Sequence, residues 1–94
     1  MSHREEYIAK IKLQLDRLNF SISDVEIKAH MLQVDMQEAY QKTRTEVQSH
    51  SQKVVAKLHE LKSVSDEGFE QLVNETEIVR NAFVNSYQHF KSHF

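Results

Sequence analysis

The chain has 94 residues, 39% of them hydrophobic and 28% charged, with a formal net charge of −2. It is too short for more than one domain and too apolar for a disordered tail, and it lacks the basic surplus that tracks phosphates, so nucleic-acid binding is disfavoured. One glycine, no proline and no cysteine leave little to break a helix and nothing for disulfide or thiolate chemistry.

In chain order, Ser2 is placed to cap a helix, with Glu5 closing a capping box. An apolar seam follows at Ile8, Ile11, Leu15, Leu18, Ile22, Val25, Ala29, Leu32, Met36 and Ala39, ending on Thr43. Its steps alternate between three and four, the period of a coiled coil. Asn19 to Asp24 is a soft point, since Ser23 and Glu26 could form a second capping box. Leu18, Ile22 and Val25 keep phase across it, which predicts one continuous helix from about residue 3 to 62.

After Thr43 the seam shifts to Val47, Ser51, Val54, Leu58 and Leu61, a four-residue step where three was due. Read as a stutter, that step unwinds a left-handed supercoil locally. The turn is expected at about 63–66, where Ser65 can cap a new helix and Asp66 and Glu67 suit the positive end of its dipole. The second helix should run from about 66 to 93, its apolar series being Phe69, Leu72, Thr76, Val79, Phe83, Tyr87, Phe90 and Phe94.

The expected fold is all-α: an antiparallel hairpin of one long and one shorter helix, assembling into a coiled coil or four-helix bundle. The pairing sets Phe69 near Leu61, Leu72 near Leu58, Phe83 near Val47, Tyr87 near Thr43 and Phe90 near Ala39. Val54 and Val79 complete this hairpin core. The competing geometry is a single rod of ~140 Å. In the hairpin, the first helix spans ~90 Å and the second ~40 Å, so the seam over residues 8–36 outreaches its partner. Burying each such side chain is worth ~1.5–3 kcal/mol. A homo-oligomer, dimer or tetramer, is therefore expected, with the seam from Ile8 to Ala39 as its interface.

Several segments resemble one family. Tyr7 to Asp16, Glu26 to Ala29, Ala39 to Lys42, Ala56 to Lys62, Ser65 and Phe69 to Leu72 are similar to small bacterial coiled-coil-domain proteins associated with stress responses. That family usually has tryptophan where this chain has Phe69, and it is richer in Ala, Glu and Lys than the second helix here. The resemblance implies a non-enzymatic helical protein with no catalytic motif to carry over.

The candidate chemistry is sparse. His89 and His93 are spaced to share a zinc ion, but no third ligand stands nearby. Six histidines are scattered along the chain, so one such pair is unsurprising. Glu5-Glu6, Asp66-Glu67 and Glu75/Glu77 read as solvated faces, because acid–base work needs a desolvated cleft. No catalytic residue, cofactor or metal site is assigned. No signal segment opens the sequence and no apolar run approaches the ~18 residues of a membrane span, so a cytoplasmic protein is expected. The leading expectation is a self-association or scaffold protein, with the stress setting that the resemblance implies. The alternatives are an apolipoprotein-like module for lipid surfaces and a regulator that captures a helical protein partner through residues 8–36. Within residues 66–94 only Arg80 and Lys91 are basic, which argues against a membrane surface.

Overall fold

A computed structural model describes residues 3–29 and 34–93. Three helices occupy them: α1 over His3–Ala29, α2 over Val34–Ser63 and α3 over Asp66–His93. Helices of 27 to 30 residues are ~40–45 Å long. The described chain measures 51 × 20 × 17 Å, so the helices lie side by side along one axis.

The cross-helix pairs fix the directions. Arg4 meets Val64, Asn19 meets Ser51 and Glu26 meets Arg44, so α1 runs antiparallel to α2. Tyr40 meets Phe90 and Lys57 meets Glu75, so α3 is also antiparallel to α2. Tyr7 meets Glu77 and Gln14 meets Arg80, which makes α1 parallel to α3. The topology is up-down-up, with α2 and α3 the most closely packed pair.

The expected single helix over 3–62 is thus two helices that fold back on each other. A continuous helix would hold Arg4 and Val64 ~90 Å apart, whereas the Arg4 guanidinium donates to the Val64 carbonyl at 2.6 Å. The chain does not break at the soft Asn19 to Asp24 stretch, which is helical throughout. It also forms no 140 Å rod.

The fold-back explains the apparent stutter. In α2 the buried positions are Tyr40, Val47, Ser51, Val54, Leu58 and Leu61, which keep a regular three-and-four phase. Met36 and Ala39 lie off that phase and are exposed, Met36 at 44%. The four-residue step from Thr43 to Val47 arose from extending the α1 phase into α2. No supercoil adjustment is needed.

The α2–α3 turn is built locally. Ser65 caps α3, accepting from the Gly68 amide through its carbonyl at 3.1 Å and its hydroxyl at 3.4 Å. Gly68 leaves room for Val64: a Cβ there would stand 3.1 Å from Val64 Cγ2. Arg4 closes the other side, donating to the Leu61 carbonyl at 3.2 Å as well as to Val64, and to Asp66 Oδ1 at 2.9 Å. Its guanidinium lies 5.2 Å over the Phe69 ring, which in turn meets Tyr7 edge-on. The orphan carbonyls at the end of α2 thereby find a charged donor.

Candidate interaction surface

The seam residues proposed for self-association divide into three groups. Ile11, Leu15 and Val25 are buried in the common core, and Ile8, Leu18 and Ile22 pack against it half-buried. Met36 and Ala39 are exposed on α2. Leu32 lies outside the described residues, as does the side chain of Ala29. The expectation of no cover within the chain is corrected for Ile8 to Val25, because α1 lies in the groove between α2 and α3 and buries its heptads there.

The hairpin core residues all meet in this cluster. Val47, Val54, Leu58, Leu61, Leu72, Phe83 and Phe90 are buried, with Phe69, Val79 and Tyr87 packed against them. Phe90 sits 5.4 Å, ring to ring, from Tyr40, the neighbour of the Ala39 expected opposite it. Tyr40 was missed because the extended α1 phase selected Ala39. Reading the α2 phase backwards from Val54 through Ser51 and Val47 would have found it.

Polar side chains clamp α1 in place. The Tyr7 hydroxyl donates to Glu77 Oε1 at 2.9 Å, and Glu77 Oε2 pairs with Arg80 at 2.5 Å. Arg80 in turn donates to Gln14 Oε1 at 3.2 Å. Burial, then the hydrogen bond to Glu77 and its charge, raise the Tyr7 phenol well above its ordinary value. Burial is also the main reason Tyr40 is raised, with the charge of Glu26 adding to it. Between α1 and α2, Glu26 pairs with Arg44 and the Ser51 hydroxyl donates to Asn19 Oδ1 at 3.3 Å. Apart from the Glu77–Arg80 pair within α3, each of these contacts joins one helix to another, and none sets a nucleophile beside a base.

The acidic clusters separate in the same way. Asp66 pairs with Arg4, Glu77 with Arg80, and Glu75 with Lys57 at 4.0 Å. Among the described residues, no three His, Cys, Asp or Glu side chains are grouped to hold a metal ion. The side chain of His93 lies outside the described residues, as do Ser2 and Phe94. No helix among the described residues is long and apolar enough to cross a membrane.

What the bundle leaves outside is a row on α1. Leu13, Phe20 and Ile27 are 51%, 71% and 69% exposed, on the face turned away from α2 and α3. The seam reading had no place for them, since they lie opposite the seam; their regular spacing of seven was the available signal. No family model matches the chain, and neither the curated proteins nor the solved structures hold a match to it.

Proposed function

We propose that this chain is a non-enzymatic helical self-association or scaffold module that works in the cytoplasm. The observation that carries the reading is the exposed row of Leu13, Phe20 and Ile27 on a bundle whose other large apolar side chains are mostly covered. An aromatic and two large aliphatic side chains aligned on one helix face favour contact with another protein surface. The reading moves the contact from the seam to the opposite face of α1, because seam contacts would require α1 to leave the core.

A lipid-surface role is less well supported. Over His3–Ala29, Arg4, Lys10, Lys12, Arg17 and Lys28 are balanced by Glu5, Glu6, Asp16, Asp24 and Glu26, so α1 offers an anionic membrane no net attraction. Light scattering on a sizing column tests the proposal. The expected mass is a multiple of the 11.1 kDa chain; a monomer throughout the micromolar range contradicts it.

A further inference from the structure

Leu13 and Ile27 stand seven residues before and after Phe20, so the row is symmetric about that phenylalanine. Seven residues are nearly two helical turns, which spaces the three side chains ~10 Å apart along one stripe. Such a stripe is self-complementary when reversed. Resting on the self-association reading above, we propose that it receives a second copy of this chain laid antiparallel across α1. Phe20 then meets Phe20, and Leu13 of each copy meets Ile27 of the other.

The flanking charges complement this occupant. Arg17 borders the groove toward α3, beside Arg80 and Val84, and Asp24 lies on the same flank two turns later. Asp16 and Ser23 border the opposite flank, toward α2. In an antiparallel two-fold pair each flank meets its own counterpart. Arg17 precedes Phe20 by three residues and Asp24 follows it by four, so the two come level across the interface to within ~1.5 Å along the axis. Two symmetric Arg17–Asp24 ion pairs result. On the other flank Asp16 comes level with Ser23, whose hydroxyl donates to the Asn19 carbonyl at 3.2 Å in the single chain and would turn from it to reach the carboxylate.

A parallel pair in register would bring opposite flanks together. Arg17 would still find Asp16, but Lys10, on the α3 flank beside Glu70, would face Lys12 on the α2 flank. The antiparallel pair likewise brings Lys10 and Lys28, which share the α3 flank, level to within ~3 Å along the axis, so like charge does not separate the two directions. The antiparallel direction rests on the two Arg17–Asp24 pairs and on the reversal symmetry of the apolar row, which brings Leu13 of each copy onto Ile27 of the other.

The absence of cysteine makes the arrangement directly testable by disulfide mapping. Leu13→Cys and Ile27→Cys chains, mixed and mildly oxidised, should give a 13–27 disulfide, while each variant alone should stay largely unlinked. Efficient 13–13 and 27–27 linkage in the separate samples overturns the antiparallel pair. Phe20→Glu should weaken dimerisation at least tenfold with helical circular dichroism unchanged, since Phe20 is exposed. Ile78→Glu, at an equally exposed apolar site on α3, should not weaken it. Arg17→Asp should also weaken the dimer, and adding Asp24→Arg should restore it. A chain that self-associates fully as Phe20→Glu overturns this surface while leaving self-association standing. A wild-type chain that remains at 11.1 kDa overturns both.

Discussion

The Arg4 guanidinium donates to the carbonyl of Val64 at 2.6 Å, joining the first turn of α1 to the last residues before α3. One side chain thus satisfies the end of α2, reaches Asp66 at the start of α3, and stacks over Phe69. The exposed contact with Asp66 adds little by itself, while charged bonds to part-buried carbonyls are worth ~1.5–3 kcal/mol. Arg4→Met is expected to lower unfolding free energy by ~1–3 kcal/mol in urea titrations. Arg4→Lys should recover only part of it, because a point charge cannot reproduce the planar fork.

Tyr7 gives the chain an alkaline limit. Burial and its bond to Glu77 raise the folded-state phenol, and burial raises Tyr40 too. The unfolded chain therefore releases these protons first, near pH ~10. Their contribution is complete below that pH and is lost as pH rises toward the folded-state values. Thermal midpoints should fall above about pH 10, and more gently in Tyr7→Phe than in wild type. Parallel curves for the two proteins would contradict the assignment.

The core is expected to be intolerant at its centre. Phe83 is fully buried where α3 packs into the bundle. Phe83→Ala should cost ~3–5 kcal/mol, much of the ~5–15 kcal/mol that holds a domain of this size. Denaturant midpoints measure the loss directly. Met36→Ala, at an exposed position, should leave the midpoint nearly unchanged.

Thr76 is buried, but its hydroxyl donates back to the Leu72 carbonyl at 2.7 Å within its own helix. That oxygen already serves the helix ladder, so removing the hydroxyl strands no acceptor. Thr76→Val is expected to change stability by less than ~1 kcal/mol. A larger loss in the melting curve would show that the hydroxyl does more than bond back.

The legible parts of the fold were those written as periodicity. The three-and-four spacing from Ile8 to Val25 and from Val47 to Leu61 marked helix faces, and pairing Phe83 with the Val47 region set the α2–α3 register. The break between Ala29 and Val34 was hidden because Leu32, Met36 and Ala39 happen to continue the α1 phase, with no glycine or proline to interrupt it. Tyr40 was lost with it, by one residue. The turn at Ser65 was legible because capping chemistry is local. The row of Leu13, Phe20 and Ile27 was not, because which face of a helix stays exposed depends on how many neighbours it has, and that is decided by the fold-back.

The return of α1 along α2 and α3 buries the seam and exposes the opposite face. Spin labels at Glu5→Cys and Ser63→Cys, with labelled chain diluted in unlabelled chain, measure it most directly. The distance expected is no greater than the 20 Å width of the bundle. A distance near the ~90 Å of an unbroken helix would contradict the fold-back and everything drawn from it.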